Sequence, residues 1–325
     1  MNIRYRMKNL TLVWVLLFSA GNSFAANEQQ MELTIATGTL SGTLRTPASA
    51  SPFPAALIIA GSGPTDRDGN SPLLSGKNDS LKMLAAALAD AGIASLRYDK
   101  RGVGASASAL VSEADLRIDH YVDDAAAWME LLSKDPRFRG IAIIGHSEGS
   151  LIGMLAAQRG KASAFVSIAG PGEAAPAIIR RQLRGRLPPA LASINESILT
   201  SLESGKPWPE VPPQLNALYR PSVQPYMISW FRHAPSTEIA KLKIPVALFQ
   251  GDTDIQVSVS DAEMLHAGCK KCDLRIVRGM NHIMKLVPAD NARQVSSYSD
   301  PNLPLAPELV EPLVSFLVGA TKRPQ

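Results

Sequence analysis

Cysteine is scarce in this sequence, which holds only two in 325 residues. Both lie late in the chain, at Cys269 and Cys272, in the segment C-K-K-C. Zinc is not expected there, because no second Cys/His pair is placed to complete four ligands. The spacing would suit a redox site in a cytosolic protein, but the late position and the N-terminus described below favour a local disulfide over two free thiols.

The sequence also lacks a strong charge excess and, beyond its first 25 residues, a long apolar run. Its 33 basic and 29 acidic residues give a formal net charge of +4, and residues 1–25 carry three basic residues and no acidic one. The remainder therefore has a net charge of about +1 and no basic stripe, which argues against a nucleic-acid partner. No later segment reaches the roughly 20 apolar residues that span a bilayer, so we expect no stable membrane insertion of the mature chain.

The first 25 residues have the organisation of a secretory signal peptide. Basic residues occupy positions 4, 6 and 8, an apolar stretch runs from Leu10 to Ala20, and S-F-A precedes Ala26. This order predicts cleavage near Ala26 and a mature chain of about 300 residues. We therefore expect an exported protein, either periplasmic or secreted. An uncleaved membrane anchor is the alternative, disfavoured because the apolar stretch is shorter than a bilayer span.

Strand-like and helix-like segments alternate through the mature chain. An antiparallel hairpin is predicted at Met31–Ile35 and Leu40–Arg45. Later strands are predicted at Ala55–Ala60, Ile93–Tyr98, Ile141–Ile144, Ala164–Ile168, Val246–Gln250 and Leu274–Val277. Helices are predicted near Ser80–Ala91 and Ile118–Leu132, from Ser147, and near Val259–Ala267 and Pro307–Leu317. Such alternation predicts an α/β fold with a mostly parallel central sheet and helices on both faces.

One segment, residues 171–238, interrupts the alternation, and we call it the cap insertion. It is rich in proline, shows helical patterns at Ala177–Leu187 and Leu191–Leu202, and ends in an aromatic cluster. That cluster comprises Tyr219, Tyr226, Trp230 and Phe231. An insertion at this point would lie over the strand ends where open α/β sheets bind ligands, as a helical cap on a core of residues 26–170 and 239–325. The aromatic side chains either line the pocket or anchor the cap insertion to the core.

The segment I-A-I-I-G-H-S-E-G-S-L at 141–151 joins a buried strand to an apolar helix through a polar turn. Gly145 and Gly149 flank Ser147 at the two places where a Cβ would obstruct a very tight turn, giving the pattern G-x-S-x-G. Such a turn pushes the serine hydroxyl out of the sheet edge. Ser147 is therefore the candidate nucleophile, provided that an acid and a histidine follow it.

Serine needs a base to take its proton and an acid to orient that base. His282 is the candidate base, because R-G-M-N-H-I places it on a turn after the last predicted strand, at the sheet edge of Ser147. The acid is expected in A-L-F-Q-G-D-T-D-I-Q-V, where Asp254 is preferred and Asp252 is better placed to cap the turn. The remaining histidines are expected to be structural or solvated, namely His120, His146, His233 and His266.

A tetrahedral intermediate also needs hydrogen-bond donors for its oxyanion. The backbone N–H of Glu148 is one candidate, because it opens the helix after Ser147, where unpaired N–H groups and the helix dipole favour negative charge. The loop I-A-G-S-G-P-T-D-R-D-G-N after the strand Ala55–Ala60 offers the second, with Ser62 preferred over Gly63. A simple glycine-rich turn is the alternative interpretation of that loop.

Five segments carry a family resemblance, namely G-S-G-P-T-D-R-D-G at 61–69, R-Y-D-K-R-G-V-G-A-S at 97–106, G-H-S-E-G at 145–149, G-D-T-D-I-Q-V at 251–257 and G-M-N-H at 279–282. Together they resemble the α/β-hydrolase superfamily, and more narrowly its bacterial secreted or periplasmic serine esterases. The order Ser, Asp, His along the chain is that of the superfamily. The resemblance implies the α/β-hydrolase fold, with Ser147 as nucleophile, Asp254 as acid and His282 as base. It also implies Ser62 and Glu148 as oxyanion donors.

The same resemblance implies that charged residues in the first two segments brace the loops by charge-assisted hydrogen bonds. These residues are Asp66, Arg67, Asp68, Asp99 and Arg101. Calcium binding by Asp66 and Asp68 is the alternative, disfavoured because the bidentate Glu of a calcium loop does not follow at the required spacing.

The expected function is hydrolysis of a small-molecule carboxylic ester through an acyl-enzyme, with no metal and no organic cofactor. A peptidase or amidase, a thioesterase or an acyltransferase could use the same triad. Relatives similar to prolyl aminopeptidases usually carry Trp after the nucleophile, where this chain has Glu148, which weighs against a peptidase. A non-catalytic binding protein is disfavoured because all three triad candidates are present. The natural substrate and the oligomeric state are not predicted.

Overall fold

The computed structural model describes residues 27–110, 112–269 and 271–321, and the predicted signal peptide lies outside them. Eight strands form one sheet in the order β1-β2-β4-β3-β5-β6-β7-β8. Their bounds are β1 Asn27–Ile35, β2 Gly38–Thr46, β3 Phe53–Ile59, β4 Ala94–Tyr98, β5 Phe138–His146, β6 Ala164–Ile168, β7 Val246–Gly251 and β8 Asp273–Val277. β1 and β2 form the predicted antiparallel hairpin, and β2 also pairs antiparallel with β4.

Every pairing from β3 and β4 onwards is parallel. Burial along the strands explains this arrangement, since every residue of β3, β4, β6 and β7 is buried. Near-continuous apolar strands are typical of parallel sheets that helices cover on both faces. The predicted fold class, a mostly parallel sheet within an α/β fold, is confirmed.

The order of the strands reverses at β3, which has β4 on one side and β5 on the other. β3 and β5 align Ile59 with Gly145, so the loop after β3 and the turn after β5 emerge side by side. Open α/β sheets bind ligands in the crevice beyond the carboxyl ends of their strands at such a reversal. The two loops that carry Ser62 and Ser147 therefore meet where a ligand is expected.

Helices cover both faces of the sheet. Their bounds are α1 Ser80–Asp90, α2 Ile118–Ser133, α3 Glu148–Gln158, α4 Ala175–Leu183, α5 Pro189–Glu203, α6 Asn216–Tyr219, α7 Gln224–Trp230, α8 Pro235–Ile239, α9 Val259–Gly268, α10 Asn291–Ser297 and α11 Pro307–Ala320. Leu151 of α3 packs in one apolar cluster with Leu57 of β3, and Leu84 of α1 packs in another with Ile58. Successive residues of β3 thus enter opposite layers of the core, as strand geometry requires.

The cap insertion contains α4 to α7 and most of α8, and it lies between β6 and β7. α4 and α5 overlap the two predicted helical patterns, but α4 ends at Leu183, four residues before its predicted end at Leu187; the short helices α6, α7 and α8 were not predicted. The insertion has an apolar cluster of its own, which includes Ile198, Leu199, Tyr219 and Met227. The cap insertion is therefore packed around its own apolar side chains.

Cys269 directly follows α9 and forms a disulfide with Cys272, just before β8. The predicted local disulfide is confirmed. In the described part of the chain, no helix has the length and the apolar character needed to cross a membrane.

Candidate active site

The turn after β5 holds Ser147 in a strained backbone conformation. Its φ of 55° and ψ of −124° are rare for a residue that carries a side chain. A Cβ at Gly145 would overlap the backbone of Gly149, and a Cβ at Gly149 would overlap the carbonyl of Ile59 at the end of β3. The turn thus requires both glycines, and it leaves Ser147 half-buried immediately before α3.

Asp254 and His282 meet beyond the carboxyl ends of β7 and β8. His282 Nδ1 donates a 2.8 Å hydrogen bond to Asp254 Oδ2, and the two side chains are 6% and 0% exposed. Asp254 Oδ1 accepts from the backbone N–H groups of Gln256 at 2.7 Å and Val257 at 3.0 Å. Burial raises the pKa of Asp254, but the His282 imidazole and these hydrogen bonds outweigh burial and hold the pKa below its ordinary value. Asp254 is therefore a carboxylate that fixes the His282 tautomer and leaves Nε2 able to accept a proton.

Asp252 has a different partner. Its Oδ1 accepts a 2.6 Å hydrogen bond from the backbone N–H of Gly279, which links the loop after β7 to the loop after β8. The structure thus brings Asp254 to His282 and gives Asp252 a loop-bracing contact.

His146 supports the backbone of the candidate base. Its Nε2 donates a 2.7 Å hydrogen bond to the carbonyl oxygen of His282, and the two ring centroids are 4.9 Å apart. Burial, reinforced by the neighbouring His282, lowers the pKa of His146 to about 4. His146 is therefore a neutral donor near pH 7. Of the other histidines, His120 lies in α2, His266 in α9, and His233 pairs with Glu238 at 3.3 Å.

Ser62, Ser147 and His282 line one cavity of about 270 Å³. Its apolar walls come from Leu73, Leu74, Ile283 and Tyr298. Within the described residues, no hydrogen bond joins Ser147 Oγ to the His282 ring. The ring is hydrogen-bonded to Asp254 through Nδ1. Contacts between nucleophile and base often tighten only around a bound substrate, so a shared cavity is the relevant observation.

A larger cavity, of about 640 Å³, lies over the starts of β7 and β8 and against α11. Ala247, Arg275 and Phe316 are among its lining residues, which include none of the predicted site residues. Ligands of parallel sheets bind beyond the carboxyl ends of the strands, so its size does not make this cavity the candidate active site.

The two predicted oxyanion donors lie on the two loops that meet at the strand reversal. Ser62 is exposed on the loop after β3, and Glu148 is the first residue of α3. In the described ranges, neither the Ser62 N–H nor the Glu148 N–H donates a hydrogen bond to another protein group. Two unbonded N–H groups beside a serine are the arrangement that can stabilise a developing oxyanion.

Lys100 is a site residue that the sequence analysis did not identify. It follows β4, and its side chain is 1% exposed. Nζ donates to the carbonyl oxygen of Gly61 at 2.5 Å and to Glu148 Oε2 at 3.3 Å. The Tyr226 hydroxyl of the cap insertion donates to Glu148 Oε1 at 2.7 Å. A lysine two residues after a buried strand, in R-Y-D-K-R, is the signal that could have indicated this residue.

Charged residues of the 61–69 and 97–106 segments brace the loops around the site. Asp99 accepts from the backbone N–H and the guanidinium of Arg67, both at 2.8 Å. Asp68 accepts from Arg97 Nε at 2.7 Å, and Asp66 accepts from two backbone N–H groups of its own loop, each at 2.9 Å. These carboxylates hold loop backbone and guanidinium groups in place, which is the role expected from the resemblance.

Aromatic side chains of the cap insertion pack against the core. Tyr226 makes an edge contact with Tyr121 of α2, with 5.8 Å between ring centroids. The ring centroids of Trp230 and Tyr226 are 6.0 Å apart, and Trp230 packs against the apolar cluster that contains Leu57 and Leu151. Tyr226 also lines a cavity of about 580 Å³ together with Lys100 and Glu148. Of the two interpretations left open, anchoring fits Trp230, whereas Tyr226 combines anchoring with a place in a cavity wall.

This sequence is similar to an esterase and to a protein family. Esterase EstD from Thermotoga maritima is 28% identical over 256 residues, which are 78% of this chain and 60% of EstD, so the chain spans only part of that relative's length. A family described as "Serine aminopeptidase, S33" matches residues 75–215.

Solved structures share the fold over most of this chain. Est1E from Butyrivibrio proteoclasticus with bound ferulic acid is 19% identical, with a TM-score of 0.60 over 89% of this chain and 99% of that one. The alpha/beta hydrolase GrgF from a Penicillium species is 22% identical, with a TM-score of 0.54 over 79% of this chain and 91% of that one. At these identities the likeness establishes the architecture alone.

Proposed function

The chain is an α/β-hydrolase by fold, and on that premise we propose that it hydrolyses carboxylic esters through an acyl-enzyme formed on Ser147. The observation that carries this proposal is a single cavity lined by Ser147 and by His282, with Asp254 bonded to the far side of the imidazole. The unbonded N–H groups of Ser62 and Glu148 complete the set of groups that acyl transfer needs.

The proposed chemistry proceeds in two halves. Ser147 Oγ attacks the ester carbonyl while His282 Nε2 takes its proton, and Asp254 stabilises the imidazolium that results. The oxyanion accepts hydrogen bonds from the Ser62 and Glu148 N–H groups until the C–O bond of the ester breaks and His282 protonates the leaving alcohol. Water then attacks the acyl-enzyme with His282 as base, which releases the carboxylic acid and restores Ser147.

An aminopeptidase is the second candidate, because the matching family is described by that activity. Such an enzyme must bind the free ammonium of its substrate, which requires an anionic or carbonyl partner near the nucleophile. The residues that line the 270 Å³ cavity include no carboxylate. Two carboxylates beside the candidate triad are already paired, Asp254 with His282 and Glu148 with Lys100. A neutral acyl group with an apolar chain therefore suits this cavity better than an amino acid.

Measuring kcat/KM for p-nitrophenyl butyrate and for alanine p-nitroanilide separates the two candidates. The kcat/KM of the Ser147→Ala variant for each substrate is the background. The esterase proposal predicts butyrate hydrolysis about 10⁴-fold above that background and no anilide hydrolysis above it. Cleavage of the anilide above background, with none of the ester, would establish the aminopeptidase instead.

Export is also a proposal. The basic and apolar pattern of residues 1–25 and the Cys269–Cys272 disulfide support it, because disulfides persist in oxidising compartments. The test is N-terminal sequencing of the full-length gene product recovered from each cell fraction. We expect a chain that begins near Ala26 outside the cytoplasm, and an unprocessed cytoplasmic chain would contradict export.

A further inference from the structure

Lys100 joins the two loops that carry the oxyanion donors. Its Nζ donates at 2.5 Å to the Gly61 carbonyl, on the loop after β3, and at 3.3 Å to Glu148 Oε2, on the first residue of α3. It also lies 5.0 Å from the centroid of the Tyr121 ring on α2. Removing a lysine ammonium from water is costly unless it is paired. These contacts compensate for that cost at a position that touches both donor loops.

The bond to Gly61 constrains the neighbouring donor directly. The Gly61 carbonyl and the Ser62 N–H belong to one planar peptide group, in which they point in opposite directions. Holding the carbonyl oxygen on Lys100 therefore fixes the direction of the Ser62 N–H, which makes no hydrogen bond to protein in the described residues. A cation on the carbonyl also polarises the peptide and strengthens its N–H as a donor.

Given the proposed esterase function, on which this inference rests, we propose that Lys100 is a positioning residue for the oxyanion hole. It holds the Ser62 N–H towards Ser147 and fixes the distance between the loop after β3 and the start of α3. It touches neither substrate nor the reacting atoms. The Tyr226 hydroxyl, at 2.7 Å from Glu148 Oε1, extends the same network into the cap insertion.

A matched pair of double variants tests this role. Lys100→Met with Glu148→Gln removes a buried ion pair and the partner of the Gly61 carbonyl, without leaving a buried carboxylate unpaired. Arg101→Met with Asp124→Asn removes the neighbouring buried ion pair, in which Arg101 Nε lies 2.8 Å from Asp124 Oδ2; among the described residues, Arg101 makes no hydrogen bond to Gly61. Both doubles are expected to lower the melting temperature.

Only the Lys100 double is expected to lower kcat for p-nitrophenyl butyrate, by about 10- to 100-fold with KM within about threefold of wild type. Its affinity for an alkyl trifluoromethyl ketone, which forms a tetrahedral adduct with the serine, should fall by a similar factor. The Arg101 double should keep kcat within about threefold of wild type. The single variant Glu148→Gln keeps the Lys100 bond to Gly61, so its kcat should exceed that of the Lys100 double variant by about threefold or more.

Equal kcat values in the two doubles, or in Glu148→Gln and the Lys100 double, would overturn the role of Lys100 while leaving the esterase proposal intact. Absence of ester hydrolysis by the wild-type protein would contradict the esterase proposal and the role of Lys100 together.

Discussion

His282 Nδ1 donates its hydrogen bond to Asp254 Oδ2 at 2.8 Å, and backbone N–H groups bind the other oxygen of the same carboxylate. The acid is therefore held from two sides and cannot turn away from the imidazole. Asp252, two residues earlier, binds the Gly279 N–H at 2.6 Å. Two aspartates of one short loop thus have separable roles.

Asparagine substitutions should separate these roles. Asp254→Asn removes the charge that holds His282 in the productive tautomer, so kcat should fall by about 10³- to 10⁴-fold. Asp252→Asn keeps an acceptor for the Gly279 N–H, so kcat should stay within about threefold and the melting temperature should fall slightly. Steady-state kinetics on p-nitrophenyl butyrate give kcat for both variants. A larger loss of kcat in Asp252→Asn than in Asp254→Asn would contradict the assignment of Asp254 as the acid.

The lowered pKa of His146 predicts a pH dependence of stability. The folded protein resists protonation of His146 down to about pH 4, because burial disfavours the charged ring, whereas the unfolded chain binds the proton near pH 6.5. The unfolded state therefore binds more protons between these values, and stability falls as the pH falls through this window. The free energy of unfolding in urea should drop by about 2 kcal/mol more in wild type than in His146→Gln between pH 7 and pH 4.5. Parallel losses in the two proteins would show that His146 does not titrate in this way.

The sequence predicts those parts of the fold that repeat a strong local pattern. β6 lies where it is predicted, at Ala164–Ile168, and β5 extends beyond its predicted bounds to Phe138–His146 because its first residue still pairs with β3, at Phe53. Helices of four to seven residues, such as α6 and α10, were not predicted. One or two turns are too short for an apolar period to show.

Some residues of the candidate site could be predicted from local sequence patterns, and the contacts of Lys100 could not. Ser147, Asp254 and His282 each follow a predicted strand, so parallel-sheet geometry alone places them at one edge. Lys100 contacts residues 39 and 48 positions away in the chain, at Gly61 and Glu148. Contacts between residues so far apart in the sequence depend on tertiary packing, which local sequence patterns do not predict.

Trp230 should stabilise the cap insertion without setting substrate preference. It packs beside Tyr226 against the main core, so Trp230→Ala should cost about 2 to 4 kcal/mol of unfolding free energy and leave the ranking of acyl lengths unchanged. Leu73, 78% exposed and lining the 270 Å³ cavity, offers the contrast. Leu73→Ala should alter the ratio of kcat/KM between octanoate and acetate esters by about threefold or more, with little change in melting temperature. A shifted acyl preference in Trp230→Ala would place its ring in the substrate pocket.

If Ser147 carries the acyl group, a fluorophosphonate should react with Ser147, and mass spectrometry of the treated protein shows which residue holds the adduct. Ser150 supplies the matched control, since it lies three residues later in α3 with its Oγ 2.7 Å from Ser167 Oγ. We predict one adduct, on the peptide that contains Ser147, in wild type and in Ser150→Ala. We predict no adduct in Ser147→Ala, together with a loss of ester hydrolysis of about 10⁴-fold or more. An adduct on another residue, or near-wild-type hydrolysis by a folded Ser147→Ala protein, would show that Ser147 is not the nucleophile.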